Sequence, residues 1–375
     1  MEDHSFNCIK VSRSALQNNF RYIQKSVAAG AEVMAMVKAD GYGHGMVMAA
    51  RAFADAGCKV FGVAELREGV ILRKSGIDGR IFVTIGFDRE DVGLFFTYDL
   101  IPVVYTYEAA QALSEKAAFC GRSIKVHIKV DTGMSRLGLL ANELSEFLDS
   151  LADLPGIEPA GVMSHFPESD DPLSMSTQDG FDVFSTACDA MKNRGGYVCH
   201  IANSGAVLNF PNTHCDMVRA GIALYGYHPA GKVDIQPGKN GQLIPAMSFV
   251  TKILQVKTLP AGRGVSYGHT YRTTQPTKIG VLPVGYEDGF SRSLSNTAKV
   301  LIGSVAVPVI GRICMNMCMV DVSELETVKA GDEVVIMGRQ GEDFITADDI
   351  AVKMASISYE VLCMFGNNNI RMYTE

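Results

Sequence analysis

The sequence predicts an α/β chain with an N-terminal (β/α)8 barrel and a C-terminal mostly-β domain, and three observations predict it. Short apolar, β-branched runs alternate with amphipathic stretches over roughly the first 230 of 375 residues. Eight such units occur there, and strands alternating with helices imply a parallel sheet with right-handed crossovers. The rhythm then changes near 230–245, where "HPAGKVDIQPGKNGQ" is rich in glycine, proline and polar residues.

Taken in order, strands are expected near 32–38, 59–64, 80–86, 101–106, 124–130, 159–165, 197–202 and 217–225. Between them, "MVMAARAFADAG" (46–57) and "NELSEFLDSLADL" (142–154) carry apolar residues at helical spacing. A doubly wound open sheet would want G-x-G-x-x-G after its first strand, and "GYGHG" is not that pattern. Beyond the polar stretch, "AMSFVTKILQVKTL", "KIGVLPVG", "AKVLIGSVAVPVIG", "CMVDVS" and "DEVVIMG" read as closely spaced strands. Helical pattern returns at "TADDIAVKMAS" and "SYEVLCMF". Domains are therefore placed at 1–238 and 239–375, the second a small barrel or sandwich.

Composition narrows the function. With 47% hydrophobic and 20% charged residues the chain is ordinary and globular. A net charge of -7 without any dense Lys/Arg run argues against nucleic acid. No stretch approaches a membrane span, and "MEDHSFNCIK" is too polar for a signal peptide, so a cytoplasmic location is expected. Nine scattered cysteines form no C-x-x-C pair and eight histidines no H-E-x-x-H, so no metal site is expected. An alternating buried strand would explain Cys314 and Cys318 as well as a metal site would, and better than a disulfide would.

Chemistry in a barrel gathers at the carboxyl ends of its strands. There stand Lys38, in "VKADGYGHG", Arg136, in "KVDTGMSRLG", His165, in "GVMSHF", and Ser204, in "HIANSGAV". Arg219 and Gly221 follow in "MVRAGIALYG". A lone lysine at a strand end is ordinarily a solvated one. In a dry cavity its pKa falls and it becomes an amine nucleophile toward an aldehyde, of which pyridoxal phosphate is the cofactor example. Ser204, the amide of Gly221 and Tyr42 could hold the phosphate. Arg219, which does not readily give up a proton, would leave the pyridine nitrogen unprotonated and the ring a weaker electron sink.

"VMAMVKADGYGHG" resembles the cofactor-lysine signature of bacterial alanine racemases. The resemblance continues through "VHIKVDTGMSRLG", "GVMSHF", "IANSGAV", "MVRAGIALYG", "GVSYGHTY", "LPVGYEDGFSR", "GRICMNM" and "SYEVLC", nearly the whole chain in the family's order. It implies an enzyme that interconverts L- and D-alanine on pyridoxal 5'-phosphate, supplies D-alanine for peptidoglycan, and works as a homodimer with shared sites. By resemblance, Lys38 bonds the cofactor aldehyde and serves one face of the substrate α-carbon. Tyr267 serves the other face, in the partner's site. His165 touches the ring and supports Arg219, while Tyr42, Ser204, Gly221, Ile222 and Tyr359 are the phosphate contacts. Arg136 lies beside the cofactor hydroxyl and substrate carboxylate, and Lys129 stands where some members carry a carbamylated lysine. Tyr286 is at the entrance, and the backbone N–H of Met315 meets the substrate carboxylate of the partner.

Three departures stand out. Met315–Asn316 replaces the family's Met-Asp, which makes serine or a broader substrate range an alternative. "FGNNNIRMY" lacks the usual proline-containing arginine pattern, and Gly41 replaces an alanine. A non-catalytic cofactor-binding protein on the same barrel would lack the second domain and its "VSYGHTY". Decarboxylases with this barrel would carry an acidic contact where Arg219 stands.

Overall fold

Continuous apolar runs such as "VMAM" and "VFGV" have no polar face to offer water, and they are covered on both sides, as parallel strands are. The computed structural model describes residues 5–192, 195, 197–231 and 242–375. The expected boundary at 238/239 lies outside the described residues. The chain divides into two compact units, one of Leu16–Gly41 and Met46–Leu243, the other of Met1–Ala15, Tyr42–Gly45 and Ile244–Glu375.

In the first unit, eight parallel strands among the described residues form the barrel. They are Glu32–Met36, Val60–Val63, Arg80–Val83, Ile101–Val104, Ile124–Asp131, Ile157–Met163, Val198–His200 and Met217–Ala220. The last pairs with the first, Arg219 opposite Met34. Closure is completed where Asp216 N–H donates to Cys199 O (3.1 Å) and Arg219 N–H to Ala202 O (2.8 Å). All eight expected strands are present, and a two-residue strand, Leu139–Leu140, lies beside the fifth. The helix Leu144–Ala152 buries Leu144, Phe147, Leu148 and Leu151, the i, i+3, i+4, i+7 stripe of an outer barrel helix.

In the second unit the strand Cys8–Ser12, which the sequence reading did not anticipate, lies antiparallel to Met247–Lys252 and parallel to Ile370–Thr374. Five residues of alternating burial are too short to distinguish from a leader into the barrel. Sheet order continues from Met247–Lys252 through Glu333–Gln340 and Lys299–Ile302 to Val305–Pro308. "AMSFVTKILQVKTL" is two strands, not one. Ile253 N–H turns to Asp332 O (3.0 Å) and Leu254 N–H to Val281 O (2.8 Å), so Gln255–Leu259 joins a separate sheet with Thr277–Leu282 and Cys318–Asp321. Cys318 begins that last strand, but Cys314 lies in the turn before it, where Cys314 N–H bonds Met317 O (2.9 Å). The single alternating strand expected for both cysteines is therefore corrected. Among the described residues no helix is long and apolar enough to cross a membrane.

Candidate active site

Lys38 leaves the first barrel strand half-buried and opens a turn of opposite hand to an ordinary helix. Ala39 (φ 52°, ψ 49°), Asp40 (φ 51°, ψ 47°) and Gly41 (φ 64°, ψ 42°) are left-handed, and Tyr42 (φ 54°) and Gly43 (φ 82°) continue at positive φ. Each non-glycine residue held there costs about 1–2 kcal/mol, so surrounding bonds must fix the turn. They are present. Ala39 N–H donates to Glu68 Oε1 (2.8 Å), Gly41 N–H to Val37 O (2.9 Å) and Met46 N–H to Asp40 Oδ1 (2.7 Å). Tyr225, wholly buried, donates its hydroxyl to Met36 O (3.0 Å) and steadies the strand end. Two of the three glycines in "GYGHG" thus mark a strained turn presenting Lys38, and sequence reading found them without the handedness.

Arg219 is 4% exposed, in the last barrel strand. One Nη donates to His200 O (2.8 Å) and meets His200 Nδ1 (3.2 Å). The other donates to Ser164 O and Ile201 O (3.1 Å) and meets His165 Nδ1 (3.2 Å). Burial, with Arg136 adding repulsion, pulls its pKa down to about 10, so it remains a cation at neutral pH. His165 is held well below the usual histidine range, first by burial and then by Arg219, Arg136, Lys38 and Lys129. Both ring and guanidinium are locked in one charge state.

Behind His200 lies His127, its Nδ1 2.9 Å from His200 Nε2. Gly161 makes room for that ring, since a Cβ there would stand 2.3 Å from His127 Cε1. Burial pushes His127 to about 3 and His200 well down, so both are neutral. Sequence reading missed these two. The available signal was period two: His127 and Lys129 alternate inward on one strand.

Lys129 is buried, and desolvation together with Arg219, Arg136 and Lys38 lowers its pKa to about 8, against the opposing pull of Asp131. Arg136 is exposed and lines a cleft with Lys129, Asp131, Ser164 and His165. Ser204 Oγ accepts the N–H groups of Gly221 (2.8 Å) and Ala223 (3.3 Å), while Ile222 is fully buried. Two accepted bonds occupy the oxygen's lone pairs and leave the serine's own O–H as a donor. The Gly221 amide, expected as a phosphate contact, donates to Ser204 here.

In the second unit Tyr42 is buried, its ring 6.0 Å from that of Tyr359, which lies on the helix Ser358–Asn368. Burial first, then Tyr359 and Cys363, raise the Tyr42 phenol pKa, so it is a permanent O–H. Tyr267 is 71% exposed on a turn bent by Ser266 (φ 60°) and Gly268 (φ 68°). Tyr286 and Met315, also exposed, are tied together: Tyr286 N–H donates to Cys314 O and Glu287 N–H to Met315 O, both 3.1 Å. Asn316 Nδ2 donates to the Glu287 carboxylate, which commits that amide to the neighbouring loop.

Each unit's groups fit pyridoxal phosphate by their chemistry. The first offers an amine at a strand end, a serine O–H and a buried guanidinium; the second offers a buried phenol beside a second tyrosine.

Residues 11–229 match the model of "Alanine racemase, N-terminal domain", and residues 246–373 that of "Alanine racemase, C-terminal domain". The chain is similar to the alanine racemase of Thermodesulfovibrio yellowstonii, 40% identical over 97% of this chain and 96% of that one. Similarity to the alanine racemase of Syntrophobacter fumaroxidans is 36% over 97% and 96%. Among solved structures, that of alanine racemase from Clostridium difficile 630 superposes with a TM-score of 0.91 at 33% identity, covering 100% of this chain and 97% of that one. One from Bartonella henselae, described as having covalently bound pyridoxal phosphate, gives 0.88 at 26% identity over 98% and 99%.

Proposed function

We propose that this chain, which belongs to the alanine racemase family, interconverts L- and D-alanine with pyridoxal phosphate through two bases on opposite faces of the substrate. Arg219 carries the reading: a buried cation held by three backbone carbonyls and two neutral histidines, offering N–H and taking no proton. When bound, the cofactor supplies an electron-withdrawing ring that acidifies the α-hydrogen of an attached amino acid.

Lys38 takes or returns the proton at one face of the α-carbon, its amine aimed by the left-handed turn. Tyr267 does so at the other face, from the second subunit of a homodimer; its 71% exposure in one chain suits a side chain completed by a partner. Arg219 keeps the ring a modest electron sink, which disfavours transamination. Arg136 and the Met315 amide gather the substrate carboxylate, and Tyr42, Ser204, Ile222 and Tyr359 surround the phosphate. Tyr286 stands at the entrance. The product D-alanine serves cell-wall peptidoglycan, made from a cytoplasmic pool.

Incubation of the protein with L-alanine and L-serine together in D2O, followed by chiral analysis, tests the reading. Deuterated D-alanine is expected well ahead of D-serine. D-serine leading would transfer the activity to the serine reading, which Asn316 first suggested. No deuterium at any α-carbon would refute racemisation.

A further inference from the structure

We infer that Glu68 is a positioning residue for Lys38, holding the left-handed turn that aims its amine. The inference rests on the reading of Lys38 as the cofactor's lysine. Glu68 stands in the first turn of the helix Leu66–Lys74, where an acidic side chain ordinarily caps its own helix. One oxygen does so: Oε2 accepts the N–H groups of Ala64 (2.8 Å) and Glu65 (3.1 Å). The other is directed elsewhere. Oε1 accepts the N–H of Ala39 at 2.8 Å, 29 residues back and directly after Lys38. One carboxylate therefore joins the loops that follow the first and second barrel strands.

Ala39 needs that bond more than its neighbours need theirs. Gly41 adopts positive φ without steric cost, and Asp40 is fixed by its own side chain on Met46 N–H. Ala39 has neither advantage, and its methyl is exposed, so no packing holds it at φ 52°. With the Glu68 bond gone, the residue next to Lys38 is free to relax to ordinary negative φ, which swings the preceding side chain. Glutamine cannot substitute, because its amide nitrogen would face an N–H donor on one side or the other.

The test uses holoenzyme with added pyridoxal phosphate, trapped by sodium borohydride, and the pyridoxyl group on the Lys38 peptide is quantified by mass. Wild type should label at Lys38; label on a different lysine would remove the underlying reading and this inference with it. In Glu68→Gln the half-saturating cofactor concentration should rise about tenfold, the cost of one charge-assisted bond. Adding Ala39→Gly, which removes the steric cost of the turn, should recover most of that loss. The melting temperature lowered by the lost helix cap should stay low. An unchanged half-saturation in Glu68→Gln, or no recovery on adding Ala39→Gly, would overturn the assignment. Should Glu68→Gln not fold, Glu68→Asp keeps a capping carboxylate too short to reach Ala39. It should show the same weakening with a near-normal melting temperature, and unaltered labelling there would equally refute the role.

Discussion

Arg219 Nη2 sits 3.2 Å from His165 Nδ1, and a guanidinium can only donate. His165 therefore presents a lone pair at Nδ1 and carries its proton on Nε2. His200 Nδ1 faces the other Nη at 3.2 Å in the same way. Its proton is then on Nε2, directed at His127 Nδ1, 2.9 Å away. One cation thus fixes the tautomers of three neutral rings.

That arrangement predicts acid sensitivity with a defined slope. All three histidines have folded pKa values below the ordinary 6.5, His127 at about 3, whereas the unfolded chain protonates them near 6.5. Below that pH the unfolded state binds more protons, so stability is complete above about 6.5 and falls with pH. Each ring contributes about 1.4 kcal/mol per pH unit. His127→Gln should make the urea-derived stability profile shallower by about that amount between pH 6 and 4. A slope unchanged from wild type would mean that His127 is protonated in the fold.

Two glycines in the second unit should tolerate no side chain. A Cβ on Gly43, already at φ 82°, would lie 2.3 Å from Leu362 O, and one on Gly366 would lie 1.9 Å from Gly43 O. Both obstacles are backbone, so neither can yield by rotating a side chain. Gly43→Ala and Gly366→Ala should each cost more than about 2 kcal/mol in denaturant unfolding. The control Gly57→Ala meets nothing within 4 Å, although its φ of 105° carries backbone strain, and should cost less. Equal costs at all three positions would show that the close approach is not what matters.

How much of this was legible depended on whether the signal was local. Apolar runs revealed all eight barrel strands, because burial on both faces leaves an unbroken run. Cys8–Ser12 was not legible, since its partners are more than two hundred residues away in the chain. Lys38, Arg219 and His165 could be found at strand ends. Glu68 could not, because a capping glutamate looks the same whether or not its second oxygen reaches another loop. The turn's handedness escaped for a similar reason: alanine and tyrosine carry no signal for positive φ, and aspartate's preference for it marks single residues, not a left-handed run.

Tyr267 should separate the two proton transfers. Mirror symmetry of the products ties the two directions of racemisation together, so turnover alone cannot assign a base to a face. Exchange of the α-hydrogen with solvent can. In Tyr267→Phe, racemisation should fall by at least about a hundredfold, the usual scale for one acid–base group. D-alanine should still take up deuterium from D2O through Lys38, whereas L-alanine should not, and cofactor should remain bound. Equal uptake by the two enantiomers, measured by proton NMR, would assign both transfers to Lys38.

Lys129 should reduce stability at neutral pH. Its folded pKa of about 8 lies below the ordinary 10.5, chiefly from burial and then from Arg219, Arg136 and Lys38. Below about 8 the fold must hold it as an ammonium among these cations, and the full penalty applies. Between 8 and 10.5 the folded lysine gives up its proton while the unfolded one keeps it, so wild-type stability rises with pH. Lys129→Gln should therefore be more stable than wild type by about 1 kcal/mol at pH 7, the cost of burying the glutamine amide offsetting the rest of the relieved penalty. That advantage should shrink steadily toward pH 10. Urea unfolding in bicarbonate-free buffer keeps the amine unmodified and reads both effects. A variant advantage that did not change across this range would show that the amine does not titrate there, and that packing alone distinguishes the two side chains.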